Sequence, residues 1–259
     1  AQSRGDGYTM VGGYDGGRLV TMGVDVASAR AMSVRISEHL ADEVSKRALW
    51  IGEVERFFEY DVGEGPSIEA LMRRYGVHMA AIDHAPDGRL GMALAEKFPG
   101  RVYTVAYSGT TTQPEVLKVN EEMRKVTVKR TEAIDATFEM VRQQKNHLPA
   151  DLPEGYVAQM GSLIRTIEED EVGKRKVSYV KRGAADDYAH AEVYDLVATE
   201  LWLLREMMQQ LTHEEDVTAD DLVDFERSRL ADYTPGQEAD YYEGGRETAT
   251  REDDERYGV

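Results

Sequence analysis

Four aspartates in three separated segments have the residue type and the sequence setting of a divalent-metal site. Asp25 lies inside the valine-rich run Val20–Ala27, which is typical of a buried central strand. A carboxylate in such a strand is costly to bury unless a partner, commonly a metal ion, compensates its charge. Asp83 follows a second apolar run, and Asp186 and Asp187 open the last helical pattern. If these segments converge, the repulsion between their carboxylates favours a bound cation.

The last of these segments, Asp186-Asp187-Tyr-Ala-His190, adds an imidazole to the carboxylates. In a helix, Asp187 and His190 share a face because they are three positions apart, so both can point at one ion. Each acidic segment alone also has a structural explanation, namely a hydrogen-bonded buried Asp25, a turn residue at Asp83 and a helix cap at positions 186 and 187. The order of the three segments along the chain is therefore more informative than any one of them.

The elements around Asp25 and Asp83 predict a mixed sheet covered by helices. Three strands with short polar connections form an antiparallel meander, and the second alternates apolar residues with Ser33, Arg35 and Ser37, as a half-buried strand does. A strand–helix–strand pattern then predicts parallel crossovers. The predicted elements are strands at Val20–Ala27, Met32–Leu40 and Arg47–Phe57, a helix at Ile68–Tyr75, a strand at Val77–Ile82, a helix at Leu90–Phe98 and a strand at Val102–Tyr107.

The second half of the chain predicts further helices and a β-ribbon. A short strand at Lys125–Lys129 precedes a helix that runs to about His147, and Tyr156–Ile167 pairs with Arg175–Val180 in the ribbon. The final helix begins near Asp186 or Asp187 and ends near residue 211. Residues 1–18 are predicted to be a linker, residues 19–211 the folded domain, and residues 212–259 an acidic, disordered tail.

Composition excludes several kinds of site. The chain has no cysteine, so a metal must bind oxygen or imidazole ligands, which favours hard ions such as Mg²⁺ or Mn²⁺. It contains no GxxxxGK[ST] motif and no apolar run of about 20 residues, so neither a P-loop ATPase nor a membrane span is predicted. The net charge of -18 has two interpretations, a surface adapted to concentrated salt or an acidic tail that inflates the total.

Three motifs together resemble the nuclease domain of tailed-virus large terminase subunits, within the ribonuclease H-like superfamily. They are Met22-Gly-Val-Asp25-Val, Ile82-Asp83-His-Ala-Pro-Asp-Gly88 and Asp186-Asp187-Tyr-Ala-His190-Ala191. The resemblance covers roughly Leu19 to Leu211, and the aspartate pair that opens an apolar helix is its most specific part. It implies an α/β fold with a five-stranded mixed sheet, three antiparallel strands followed by parallel ones, flanked by helices, to which the predicted β-ribbon is added.

The resemblance also implies an activity and a set of site residues. The activity is a metal-dependent endonuclease that cuts concatenated viral DNA during packaging, by two-metal phosphodiester hydrolysis with Mg²⁺ or Mn²⁺. Asp25, Asp83 and Asp187 are the implied catalytic metal ligands, with Asp186 as a neighbouring or alternative ligand. Many relatives have a second acid where this chain has His190, and a histidine can still bind metal.

The implied partners are double-stranded DNA, an ATPase motor domain, the portal and the small terminase subunit, in the host cytoplasm during viral assembly, with no role for a membrane. Two interpretations of the missing motor motif stay open, a separated nuclease domain and a complete polypeptide that does not package DNA.

DNA contact is predicted from local basic clusters, because the overall charge opposes binding to phosphates. No motif for reading bases is present, so contacts to the DNA backbone and weak sequence preference are expected. Solvated surface is the alternative interpretation of each cluster. The clusters are Arg124-Lys125, Lys129-Arg130, Lys174-Arg175-Lys176 and Lys181-Arg182.

Two other functions remain compatible with the sequence. One is a different ribonuclease H-like enzyme, such as a junction resolvase or an integrase-like protein, which a junction-cleavage assay would separate. The other is a catalytically inactive module that docks the packaging machine onto a portal or capsid, a role in which the acidic segment from Asp232 to Val259 could take part.

Overall fold

The computed structural model describes residues 7–41, 45–108, 116–169, 173, 175–183 and 185–211. The strands are β1 Val20–Ser28, β2 Ala31–His39, β3 Lys46–Val54, β4 Met79–Asp83, β5 Val102–Ser108, β6 Leu117–Asn120, β7 Lys125–Lys129, β8 Asn146–His147, β9 Leu163–Glu169 and β10 Arg175–Lys181. The helices are α1 Ile68–Arg74, α2 Gly88–Lys97, α3 Arg130–Arg142, α4 Tyr156–Met160 and α5 Asp187–Leu211. None of the described helices is long and apolar enough to cross a membrane.

The main sheet has eight strands in the order β6-β7-β5-β4-β1-β2-β3-β8. Strands β1, β2 and β3 form the predicted antiparallel meander, and β4 and β5 add in parallel beside β1. This central order confirms the predicted mixed sheet, in which three antiparallel strands are followed by parallel ones. The expected count of five strands was too low, because β7 extends one side with β6, and β8 extends the other. β9 and β10 form the separate antiparallel ribbon that the sequence predicts.

Two predicted boundaries are wrong. Residues from Tyr156 were assigned to the ribbon, but α4 occupies Tyr156–Met160 between Gly155 and Gly161, and β9 begins only at Leu163. The helix expected to reach His147 ends at residue 142, because backbone bonds from residues 143 to 145 back to the last turn close it. The chain then enters β8, where Asn146 lies opposite Lys46 of β3.

The lead-in expected as a linker has no helix or strand over residues 7–18, yet it packs on the sheet. Val11 N–H donates to the carbonyl of Leu49 at 3.1 Å, and the Tyr8 hydroxyl donates to the carbonyl of His147 at 2.9 Å. Residues 1–6 and the predicted tail at 212–259 lie outside the described residues, so the proposed domain limits stay predictions.

Both faces of the central sheet are covered, and β1 divides its side chains between them. Met22 and Val24 belong to the core on the α1 and α2 side. Gly23 lies on the other face, where a Cβ would stand 2.1 Å from the carbonyl oxygen of Ala191 and 2.2 Å from the amide nitrogen of Asp195. A side chain at position 23 would therefore force α5 away from the strand. Glycine is what lets the helix lie directly on β1 beside Asp25.

The second strand is not half-buried, as its alternation predicted, because α5 also covers its polar face. Arg35 and Ser37 are both buried, and Arg35 forms an ion pair with Glu192 of α5. Asn146 accepts from Arg35 at 2.6 Å and donates to Glu192 at 2.9 Å, while the Tyr156 hydroxyl donates to Glu192 at 2.6 Å. A charged pair in the interior is tolerated only with such additional hydrogen bonds.

A second buried ion pair joins Lys46 of β3 to Asp195 of α5. Thr21 and Ser37 each donate a hydrogen bond of 2.7 Å to the Asp195 carboxylate. Burial alone would raise the pKa of Asp195, but the Lys46 and Arg35 charges lower it below its ordinary value. Asp195 is therefore ionised at neutral pH, and its directional bonds fix both the rotation and the position of α5 on the sheet.

We expect Asp195→Ala to destabilise the protein by about 3–5 kcal/mol, because it leaves the Lys46 ammonium buried without a counter-charge. Replacing both partners, as Lys46→Met with Asp195→Leu, should recover most of that loss. Urea unfolding measures the free energy of each variant. Glu139→Ala, which breaks an exposed pair with Arg142, is the control and should cost less than about 1 kcal/mol. Equal losses for Asp195→Ala and Glu139→Ala would contradict this account of how α5 is held.

Candidate metal centre

Asp25 and Asp83 stand side by side at the carboxyl ends of neighbouring parallel strands. Val24 of β1 lies opposite Ile82 of β4, so the next residue on each strand is the aspartate. Both side chains lie on the face covered by α5, because alternation places them opposite to Val24 and Ile82, which belong to the other core. The edge expected from the sequence is thus formed by adjacent strands.

The third acidic segment reaches the same edge because α5 begins there. Asp187 is the first helical residue, and the backbone carbonyl of Asp186 accepts from His190 N–H at 3.0 Å. The Gln159 side-chain oxygen accepts from Tyr188 N–H at 2.9 Å and so satisfies another amide of the first turn. These bonds fix the start of the helix and, with it, the position of Asp187.

The pKa of Asp25 depends on carboxylates from all three segments. The pKa of Asp25 is raised from 3.8 to about 8, first by burial and then by the charges of Asp83, Asp187 and Asp186, in that order of effect. Lys181 acts in the opposite direction. A buried carboxylate surrounded by three others is unstable in its charged form unless a cation joins the group. Asp25, Asp83 and the start of α5 lie at one end of the sheet, and their role as metal ligands stays a prediction.

Asp186 and His190 hold each other in the metal-free protein. The Asp186 carboxylate accepts from Lys181 Nζ at 2.9 Å through one oxygen and from His190 Nε2 at 3.3 Å through the other. His190 Nδ1 lies 2.7 Å from the Tyr107 hydroxyl. Burial lowers the pKa of His190, so the ring is neutral at pH 7, with Nε2–H as donor and Nδ1 as acceptor. Both ring nitrogens have protein partners, and metal ligation by His190 and Asp186 stays a prediction.

Two tyrosines complete the site, and the sequence reasoning missed both. Burial raises the pKa of Asp83, whereas the neighbouring Tyr194 hydroxyl acts to lower it. Tyr107 stacks on Tyr194 with ring centroids 5.7 Å apart. Spacing carried a signal for each: Tyr194 lies one helical turn beyond His190, and Tyr107 is the penultimate residue of β5, the strand next to that of Asp83. The two rings lie beside the carboxylates, on the side of the site formed by β5.

The donor set fits a hard divalent cation. Asp25, Asp83 and Asp187 offer only carboxylate oxygens, the ligands that Mg²⁺ and Mn²⁺ prefer. Among the described residues, no three acidic or imidazole side chains are close enough to hold one ion as they stand. Carboxylates at neutral pH repel one another, and Asp186 is paired with Lys181. A cation would supply the attraction that closes the group.

The predicted DNA-binding residues are divided between two regions. Lys129 ends β7 at the edge that carries Asp83, and Arg130 begins α3 there, with its guanidinium 5.8 Å from the Tyr107 ring centroid. Lys181 reaches Asp186, and Arg182 follows it.

The remaining basic residues are not brought to the carboxylates. Arg124 and Lys125 lie at the other end of β7, where Arg124 donates to the carbonyl of Ala95. Lys176 is exposed on the ribbon, five residues before Lys181. Lys174 lies outside the described residues, and for Arg175 only the backbone pairing with Glu169 is described.

We expect Asp25→Asn to stabilise the metal-free protein at high pH. Because the pKa of Asp25 rises to about 8 on folding, the folded state binds a proton that the unfolded state has lost between pH 3.8 and about 8. The free energy of unfolding of the wild type therefore falls over this interval, by up to about 1.4 kcal/mol per pH unit, and the variant avoids that loss. Urea unfolding in EDTA at pH 5, 6.5 and 8 measures the difference.

The control is Asp15→Asn, which changes an exposed aspartate and should follow the wild type at every pH. Saturating Mn²⁺ at pH 8 should reverse the order, since only the wild type keeps the Asp25 carboxylate. An Asp25→Asn curve parallel to the wild type in EDTA would show that Asp25 titrates normally and would contradict the burial argument.

No protein-family model matches this sequence, and a comparison with curated proteins finds no match. Among solved structures, the chain is similar to the large terminase nuclease from thermophilic phage G20c, at 13% identity over 74% of this chain and 91% of that one, with a TM-score of 0.40. A second structure of that nuclease, with bound magnesium, gives 11% identity, coverage of 74% and 90%, and a TM-score of 0.36. The Thermus phage P74-26 large terminase nuclease domain gives 11% identity, coverage of 73% and 87%, and a TM-score of 0.42.

Proposed function

We propose that this chain is a divalent-metal-dependent endodeoxyribonuclease that cuts concatemeric viral DNA during genome packaging. The observation that supports the proposal is that Asp25 and Asp83 lie side by side at the ends of neighbouring parallel strands, near the start of α5 at Asp187, with Asp25 buried and its pKa raised to about 8. The three sequence motifs that resemble terminase nucleases contain these same residues. Geometry and motif thus point to one site.

The proposed roles follow from the position of each side chain. Asp25, Asp83 and Asp187 would hold the proposed pair of Mg²⁺ or Mn²⁺ ions, with Asp25 as the most buried of the three ligands. When bound, such ions supply activation of the attacking water and neutralise charge on the scissile phosphate. The hydrogen bonds to Asp195 keep α5, and therefore Asp187, in place.

DNA is proposed to approach along the basic rim of the site. Arg130, Lys181 and Arg182 lie at the edge that carries the carboxylates, and cations there can contact phosphates without reading bases. Weak sequence preference follows from such contacts. The net charge of -18 makes a local basic rim necessary, and binding through its phosphate contacts should weaken as salt rises.

The proposed partners, beyond double-stranded DNA, are an ATPase motor domain, the portal and the small terminase subunit, acting in the host cytoplasm. These partners follow from the resemblance of the three motifs. The acidic segment from Asp232 to Val259 is a candidate contact for them.

We expect Asp25→Asn, Asp83→Asn and Asp187→Asn each to lower the cleavage of supercoiled plasmid at least about hundredfold, because each removes a carboxylate that holds the cation. The assay uses Mn²⁺, Mg²⁺ or EDTA, from low to high salt, and EDTA should abolish cleavage by the wild type. Asp15→Asn is the control and should cleave as the wild type does.

Undiminished cleavage by a folded Asp25→Asn variant would contradict the proposal. Preferential cleavage of a four-way junction would favour a resolvase instead. A wild type that neither binds a divalent cation nor cuts any DNA would favour an inactive docking module.

A further inference from the structure

A lysine already occupies part of the acidic cluster. Lys181 ends the ribbon strand β10, and its Nζ lies 2.9 Å from one carboxylate oxygen of Asp186. The two partners differ in exposure: the Lys181 side chain is 51% exposed, whereas that of Asp186 is 13% exposed. The lysine therefore extends from the solvent side, and its ammonium group contacts a largely buried carboxylate.

Local backbone structure fixes this approach. Lys181 pairs with Leu163 at the end of the ribbon, and the next residue, Arg182, donates its N–H to the carbonyl of Ser162 at 2.9 Å. Gly183 then adopts a φ of 82°, a left-handed conformation that glycine takes without strain. The chain turns there and begins α5 four residues later. The base of the ribbon and the start of the helix are thus held close together, with Lys181 facing Asp186.

The charge of Lys181 acts on the whole cluster. Its own pKa is raised, first by the hydrogen bond and charge of Asp186 and then by the charges of Asp187 and Asp25. In return, Lys181 lowers the pKa of Asp25 and that of Asp186. One ammonium group therefore compensates, in part, three carboxylates that would otherwise only repel one another.

We infer that Lys181 is a built-in counter-ion of the metal-free site, which a divalent cation displaces from Asp186 when it binds. This inference rests on the proposed function, because it takes the carboxylate cluster to be a metal site. A divalent cation and the ammonium group repel each other, so both cannot be held at full strength by the same carboxylates. Once displaced, the ammonium group stays at the rim of the site, where a DNA phosphate is its natural partner.

The inference differs measurably from a surface ion pair with no role. If Lys181 competes with the cation, removing its charge strengthens metal binding and weakens the metal-free protein by the same factor, since one interaction is lost in both measurements. An ion pair with no role in metal binding would change neither the metal affinity nor the stability of the protein without metal. A lysine that helps to hold the metal gives the opposite effect on affinity.

The test uses the full chain and Mn²⁺ alone, titrated by calorimetry at fixed salt and pH. The variants are Lys181→Gln and Lys176→Gln, which remove the same charge from the same strand; Lys176 is exposed and five residues, about 16 Å, further from the cluster. We expect Lys181→Gln to bind Mn²⁺ about fivefold more tightly than Lys176→Gln. In EDTA it should unfold at a lower temperature than Lys176→Gln, and saturating Mn²⁺ should remove that difference.

Equal or weaker Mn²⁺ binding by Lys181→Gln, relative to Lys176→Gln, would overturn the inference while leaving the proposed function intact. The proposed function fails separately if the wild type does not bind Mn²⁺, or if Asp25→Asn binds it as well as the wild type. Because the unfolding measurement reports whether each variant is folded, a misfolded protein cannot be mistaken for either result.

Discussion

Two buried ion pairs between α5 and the sheet, Arg35–Glu192 and Lys46–Asp195, are the interactions on which the rest of the structure depends. An apolar interface would tolerate small shifts of the helix, whereas these carboxylates are saturated by hydrogen bonds of fixed direction. The close approach at Gly23 removes the remaining freedom. The first turn of α5, with its two aspartates, is consequently held over the ends of β1 and β4.

Burying acidic groups costs free energy, and the fold compensates this cost differently in the helix–sheet interface and at the edge of the sheet. Deep in the interface, the charges of Glu192 and Asp195 are fully compensated by Arg35 and Lys46, so they stabilise one position of the helix. At the edge, Asp25 lacks such a fixed partner and its pKa rises to about 8. Among the acidic groups along α5 and β1, Asp25 is thus the one whose burial costs the fold most. The ion pairs in the interface hold α5 in place, whereas the buried carboxylate at the edge of the sheet destabilises the fold, as is common for functional sites.

Much of this arrangement can be predicted from the sequence, and the exceptions have physical reasons. The spacing and grouping of apolar residues predict strands β1 to β5 and helix α5. The ends of two neighbouring parallel strands then bring Asp25 and Asp83 together. β8 is only two residues long, too short for any periodic signal. Arg35 was predicted to lie on the solvent-exposed face of a half-buried strand. Alternation of polar and apolar residues does not reveal whether another element covers the polar face. The partners of His190 depend on side-chain rotamers and on Tyr107, 83 residues away in the chain, which no local pattern encodes.

The central claim is that helix docking creates a divalent-cation site from Asp25, Asp83 and Asp187. Anomalous diffraction from crystals soaked in Mn²⁺ at pH 8 tests it most directly. The account predicts strong anomalous peaks between Asp25 and Asp83 and between Asp25 and Asp187, with Lys181 Nζ withdrawn from Asp186. Well-ordered crystals with no peak within coordination distance of Asp25, at Mn²⁺ concentrations that saturate binding in solution, would contradict it.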